Sequence, residues 1–226
     1  MAIAYRARMT NPDLVGLAGA IADASRAAML DALMDGRAHS MGELATRAHV
    51  TPSTASEHVA RLVDAKLARV RRGADGRTRE VTLAGPRAAR LLERMGAFAQ
   101  PTGRPTGELR FARTCYDHLA GMLGVRVIDA LRTRGWIHSQ DGAIVAERGM
   151  LDWLASHRVG LVGRRPVVRA CIDWSERVPH LAGQLGAAIA SVAFAERWIV
   201  RARDSRVVRV TARGRNALMR ELGVET

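Results

Sequence analysis

Cysteine, aromatic residues and long apolar runs are all scarce in this 226-residue chain, and each shortage excludes something. Two cysteines are too few for a disulfide framework in a chain of this size. No apolar run reaches the length of a membrane span. The first stretch, M-A-I-A-Y-R-A-R-M-T-N-P-D, also lacks the apolar core of a signal peptide, so a soluble cytoplasmic protein without a membrane role is expected. There is no nucleophile elbow, no phosphate-cradling glycine loop, no H-E-x-x-H and no dinucleotide fingerprint, and no enzyme is expected. Acidic groups are in the minority, 22 against 35 basic ones, for a formal net charge of +13. Such an excess favours a polyanionic partner, because each neutralised phosphate releases counterions. It is spread over both halves and does not say which half meets that partner.

What is present is ordinary globular composition, 48% hydrophobic and 25% charged. Residues 96–107, G-A-F-A-Q-P-T-G-R-P-T-G, read as a linker. Three parts are expected: a domain at 1–98, a linker at 99–110 and a second domain at 111–226. Residues 1–10 look like a loose basic arm. Asn11-Pro12-Asp13 opens a first helix to Ala22, and a second runs from Ala24 to Met34. His39–Met41 is a short extended piece. Ser40 caps the helix Met41–Ala48, and Thr51 caps the next, with Pro52 at its first position. Leu67–Arg72 and Arg77–Leu83 are strands joined by Gly73-Ala74-Asp75-Gly76. Pro86–Phe98 closes the domain.

Helix, tight turn, helix and basic hairpin from Glu43 to Leu83 form the grammar of a winged helix-turn-helix that binds duplex DNA. Ser53, Thr54, Glu57 and His58 are candidates for the groove, while Ser56 and Arg61 suit phosphates. Arg71, Arg72, Arg77 and Arg79 line the hairpin. Three blocks carry a resemblance: Ile21-Ala22-Asp23-Ala24-Ser25-Arg26-Ala27-Ala28-Met29-Leu30, then Val50-Thr51-Pro52-Ser53-Thr54-Ala55-Ser56-Glu57-His58-Val59-Ala60-Arg61-Leu62, then Leu67–Leu83. Together residues 20–98 resemble the ArsR/SmtB-type winged-helix repressors. The resemblance implies a homodimeric repressor on a pseudo-palindromic operator, with the first and last helices of the domain paired across the dimer axis. Leu14, Leu17, Leu91, Leu92 and Met95 are the apolar candidates there; closing their own domain is the other reading. The family's familiar metal ligands are missing: Met41–Thr46 has no cysteine, and Pro86–Phe98 has no histidine.

The second half repeats itself. His118-Leu119-Ala120-Gly121-Met122-Leu123-Gly124 recurs as His180-Leu181-Ala182-Gly183-Gln184-Leu185-Gly186, and Trp136-Ile137 recurs in the same register as Trp198-Ile199. Val81-Thr82-x-x-Gly85-x-x-Ala88 is echoed at Val210-Thr211-x-x-Gly214-x-x-Ala217. Two degenerate winged-helix-like units, each helix, hairpin, helix, are expected, the hairpins turning at Asp141-Gly142 and Asp204-Ser205. The fold class is thus mainly α with small β-hairpins (α+β). Both copies hold Arg-x-Cys-x-Asp, at Arg113-x-Cys115-x-Asp117 and Arg169-x-Cys171-x-Asp173. A Cys115, His118, Cys171, His180 set would suit zinc or a softer ion if the units converge. The same cysteines could instead form a redox pair or respond to an organic ligand, or be structural, packed thiols inherited by both copies. A Cys115–His118 nucleophile and base on one helical turn is the weak enzymatic alternative. Trp136, Trp153, Trp174 and Trp198 either line an effector pocket or fill the core. A ligand-free architectural DNA-binding protein is the remaining alternative.

Overall fold

The computed structural model describes residues 13–99, 107–203 and 205–226. The basic arm at 1–10, Asn11, Pro12, most of the glycine- and proline-rich segment and Asp204 lie outside the described residues. The fold is an α+β mix, roughly half helix with small antiparallel sheets.

Contacts divide the chain into two compact units. The first spans residues up to Leu33 and Arg37–Ala88. It holds α1 (Leu14–Ile21), α2 (Ala24–Leu33), β1 (His39–Ser40), α3 (Met41–Ala48), α4 (Pro52–Asp64), β2 (Ala68–Arg72) and β3 (Arg79–Leu83). Asp13 caps α1 by accepting from the Gly16 amide. Ser40 and Glu43 form a reciprocal capping box at α3, and Thr51 accepts from the Thr54 amide at α4. His49, in the left-handed conformation at φ 53°, ends α3 and turns the chain into α4. Met29, Leu30, Leu33, Leu44, Val59, Leu62, Val81 and Leu83 are buried as the core. The three-stranded sheet runs β1-β3-β2, with Val70 opposite Val81, Arg71 opposite Glu80 and Arg72 opposite Arg79. The hairpin loop is longer than the four residues expected, because pairing stops at Arg79 and residues 73–78 form the turn. Asp75 organises that turn, accepting from the amides of Arg77 and Thr78.

The second unit comprises Met34–Gly36 and Ala89–Thr226. Its boundary therefore falls inside α5 (Pro86–Phe98) rather than in the expected linker, and residues 107–110 of that linker belong to a helix, α6 (Gly107–Phe111). Two series of elements follow in the same order. The first is the hairpin β4 (Arg113–Cys115) and β5 (His118–Ala120), α7 (Met122–Thr133), the hairpin β6 (Ile137–Gln140) and β7 (Ala143–Ala146), and α8 (Arg148–Ser156). The second is β8 (Arg169–Ile172) and β9 (Pro179–Ala182), α9 (Gly183–Ala195), β10 (Ile199–Arg201) and β11 (Val208–Val210), and α10 (Ala212–Ala217), which continues as a π-helix over Leu218–Leu222. The expected order of helix, hairpin, helix thus omits a leading hairpin in each series.

The two series share one core, with Leu123, Val127, Ile128 and Leu131 of α7 and Leu185, Ile189, Val192 and Ala193 of α9 in a single cluster. α7 packs on β9 and α9 on β5, so each helix covers the other series' hairpin. Trp153 and Trp198 are buried in this core with ring centroids 6.3 Å apart. Trp136 packs against the same cluster, and the Arg113 guanidinium lies 4.5 Å from the Trp174 ring centroid. Trp136, Trp153 and Trp198 thus pack in or against the core, although Trp198 also borders a cavity with His157, while Trp174 lies outside the cluster.

Candidate DNA interface and a buried cysteine–histidine cluster

On α4 the apolar residues Ala55, Val59 and Leu62 face the core at helical spacing, which turns Ser53, Ser56, Glu57 and Arg61 to solvent. Thr54 is half-buried, its hydroxyl 3.0 Å from that of Thr51. Ser56 donates back to the Pro52 carbonyl. His58 departs from expectation. Its Nδ1 lies 3.1 Å from a guanidinium nitrogen of Arg26, and its side chain is only 15% exposed. It is turned toward α2 and away from the groove face.

Arg26 shows what the first motif block does. Buried, it donates to the carbonyls of Ala20 and Gly19 at the end of α1, and its own amide donates to Asp23. Orphan carbonyls of α1 thereby gain a charged donor. In the sequence Arg26 carries no signal of this role beyond its place in the first motif block.

On the wing, Arg71, Arg72, Arg77 and Arg79 are exposed. Arg71 pairs with Glu80 at 3.0 Å, which offsets part of its charge. Arg72 and Arg79 are cross-strand partners, so two cations share one face. The apolar residues assigned to a dimer contact leave surface uncovered. Leu14 is 68% exposed on α1 and Met95 is 40% exposed on α5, while Leu17, Leu91 and Leu92 are half-buried.

The second cluster lies inside the second unit. Cys115 and His118 are direct cross-strand partners in β4–β5, and Cys171 and His180 are direct partners in β8–β9. The Cys-x-x-His segment is therefore a tight hairpin, with Tyr116 left-handed at φ 62°, and not a turn of helix. That correction also removes the helical nucleophile–base geometry. The two hairpins bring all four side chains together, buried, with one ligating atom of each within 4.8 Å of the other three. The imidazoles stack with centroids 5.1 Å apart. Both thiols are free.

Around this set sits a shell of charged groups. Asp117 lies 3.2 Å from His118 Nδ1, and Asp173 lies 3.4 Å from His180 Nδ1. Asp117 is held by Arg165, and Asp173 by Arg113 at 2.6 Å, by the Gly121 amide and by Ser175. The Arg113–Asp173 pair is almost wholly buried. Burial would raise the Asp173 carboxyl, but Arg113 and the Gly121 amide outweigh it and hold the group well below the usual carboxylate range. Glu93, from α5, accepts from the Cys115 thiol at 3.6 Å and from Arg169 at 2.8 Å, and lies 3.8 Å from His118 Nε2. A hydrogen bond with Cys171, and then burial, push the Cys115 thiol up to about 12. Burial pulls His118 down, yet Asp117, Cys115 and Glu93 together push it up to about 9. The Nε2 atoms of His118 and His180 are buried without a hydrogen-bond partner.

Residues 21–71 match a family model described as a helix-turn-helix domain. The chain is 37% identical over 229 residues to the uncharacterized HTH-type transcriptional regulator YdfF of Bacillus subtilis (strain 168), covering 95% of this chain and 99% of that one. Among solved structures, reduced HlyU from Vibrio cholerae N16961 matches with 29% identity over 38% of this chain and 88% of its own, at a TM-score of 0.33.

Proposed function

The chain belongs to the family of HTH-type, DNA-binding transcriptional regulators, and from that premise we propose that it is a cytoplasmic, dimeric repressor of the ArsR type. It recognises a pseudo-palindromic operator and takes its signal through the second unit, whose two series descend from one duplicated element. The observation that carries this reading is the polar outer face of α4 beside an arginine wing. Ser53, Thr54 and Glu57 meet base edges, with Glu57 suited to accept from a cytosine amino group. Ser56, Arg61, Arg72, Arg77 and Arg79 meet phosphates, and Arg71 does so through the guanidinium donors that Glu80 leaves open. His58 supports the helix from behind through Arg26. The uncovered apolar residues Leu14 and Met95, with Leu17, Leu91 and Leu92, supply the dimer contact. No catalytic role belongs to this reading.

The test is fluorescence anisotropy on the protein's own promoter region, repeated across salt concentrations. Each phosphate contact contributes about −0.9 to the slope of log K against log salt. Arg72→Ala with Arg79→Ala should flatten the slope by about 1.8 on that basis. An unchanged slope and affinity would remove the wing from the interface. Protection of a long, sequence-indifferent tract in place of one short site would favour the architectural alternative.

A further inference from the structure

The cluster of two thiols and two imidazoles is not needed for DNA contact, and packing alone does not account for its geometry. We propose that Cys115, His118, Cys171 and His180 bind one divalent d10 cation of the zinc class, which ties the two series of the second unit together. Each hairpin contributes one cysteine and one histidine at paired strand positions, so the donors come as two matched Cys–His pairs. Four coordinating atoms already lie within 4.8 Å of one another. Tetrahedral zinc, with bonds of about 2.0–2.3 Å, places its ligand atoms about 3.3–3.8 Å apart. The widest pair therefore closes by about 1–1.5 Å, within reach of small side-chain rotations.

Three further observations point to a cation. First, both Nε2 atoms are buried and without a hydrogen-bond partner, although such atoms cost free energy when nothing compensates them. Second, the opposite nitrogen of each ring has a carboxylate beside it, Asp117 or Asp173, at the same place in the two series; His118 Nδ1 is hydrogen-bonded to Asp117, while His180 Nδ1 lies 3.4 Å from Asp173 without a hydrogen bond. That is how a carboxylate presents a neutral imidazole's other nitrogen to a metal. Third, the motif glycines, which let each helix approach the Leu119 or Leu181 carbonyl closely, also bring the two series together at the histidines. A Cβ at Gly124 would lie 3.4 Å from His180 Cβ, and one at Gly186 would lie 3.2 Å from His118 Cβ. Each series thus keeps a glycine where the other's histidine sits.

Donor chemistry selects the ion. Two thiolates and two imidazoles suit zinc-class cations and disfavour magnesium or calcium. Binding releases the two thiol protons and the proton that His118 carries near neutral pH, and two thiolates then balance the 2+ charge. Glu93 is separately neutralised by Arg169. Four protein ligands leave no open position, which is the pattern of a structural or regulatory site and not of a catalytic one.

The test uses the full chain, reduced and stripped with a chelator, with Co2+ alone as the probe. The expected result is one equivalent bound, with strong visible bands of tetrahedral cobalt and a thiolate-to-metal charge-transfer band in the near ultraviolet, displaced by Zn2+. Cys115→Ser and Cys171→Ser should each lower the charge-transfer band by about half or more, and His180→Gln should shift the visible bands. In the unmutated chain, zinc should slow alkylation of both cysteines at least about tenfold relative to chelator, a readout that requires no variant to fold. Absent or weak bands, bands that survive both serine variants, or alkylation indifferent to zinc would overturn the proposal. So would a purified chain lighter by two hydrogens that retains no metal, the mark of a disulfide. None of these readouts involves DNA, so the site stands or falls apart from the regulator reading.

Discussion

Replacing Gly186 by alanine sets two physical effects of opposite sign against each other. Gly186 lies within α9, where alanine is intrinsically better than glycine by about 1 kcal/mol. The new Cβ, however, would collide with the Leu181 backbone carbonyl and lie 3.2 Å from His118 Cβ. A carbonyl held in a paired strand cannot swing aside as a flexible side chain would, so either α9 or the β8–β9 hairpin shifts. Overpacking of this kind costs about 1–3 kcal/mol, and the collision with backbone puts it toward the upper end. The net expectation is a destabilisation of about 1–2 kcal/mol. All four tryptophans lie in the second unit, so their fluorescence follows that unit alone. With a urea m-value of about 2 kcal/mol/M, the midpoint should fall by about 0.5–1 M, measured in chelator to keep metal out of the comparison. Gly96→Ala is the matched control, because a Cβ there meets nothing within 4 Å. Its midpoint should hold or rise by up to about 0.5 M. A Gly186→Ala midpoint that rises with the control would refute the close-approach argument and leave helix propensity as the governing effect.

Other substitutions test other parts of the molecule. Asp173→Ala strands the buried Arg113 guanidinium and should cost about 3–5 kcal/mol in the same urea assay, whereas Asp173→Asn, whose single amide oxygen can still accept from Arg113 and Ser175 but no longer from the Gly121 amide as well, should cost visibly less. Equal costs would show that loss of the buried charge accounts for the whole effect and that the retained shape and hydrogen bonds contribute nothing. Thr51→Ala removes the cap of α4 and should cost about 1 kcal/mol, seen as operator affinity weakened about fivefold in anisotropy titrations. Unaltered affinity would mean that the helix holds its N-terminus without the cap. Leu14→Ser with Met95→Ser should move the chain from dimer to monomer in sedimentation equilibrium, and an unchanged mass would place the dimer contact elsewhere.

The legible parts of the sequence were those where a local rule acts alone. Ser40, Thr51 and Pro52 mark helix starts by chemistry that reaches only three residues, and all three stand where the pattern put them. The wing was legible because apolar Val70 stands between Arg69 and Arg71 on one strand and Val81 between Glu80 and Thr82 on the other, over five paired positions. The leading hairpins of the second unit were not. A strand of three residues, such as Arg113–Cys115, is too short to show a period of two, and Cys-x-x-His spacing fits one helical turn as well as a two-residue turn. Tyr116 takes the left-handed conformation there without the glycine or asparagine that would have signalled it. The glycine- and proline-rich stretch suggested a boundary, yet the contacts divide the chain inside α5. The repeated Arg-x-Cys-x-Asp motif falls on the strand pairs that hold Cys115 opposite His118 and Cys171 opposite His180. Which arginine meets which carboxylate is a tertiary matter: Arg113 crosses to Asp173, but Arg169 does not return to Asp117.

That last asymmetry has a consequence for signalling. Asp117 is held by Arg165, and Arg169 is taken by Glu93, whose carboxylate also accepts from the Cys115 thiol. Metal binding at the proposed site would deprotonate Cys115 and engage His118 Nε2. Glu93 would then lose its thiol donor and face a thiolate, leaving Arg169 to hold it. The residue that feels this change sits on α5, the helix that follows wing strand β3 after only two residues. Hydrogen exchange over peptides covering residues 86–99 should therefore differ between zinc-loaded and chelator-treated protein. Glu93→Gln keeps the shape but removes the charge that thiolate formation opposes, and it should shrink that difference by more than half while cobalt still binds. Equal exchange with and without zinc would confine the metal's effect to the two hairpins. A difference that persists in full in Glu93→Gln would carry the signal through some group other than this carboxylate.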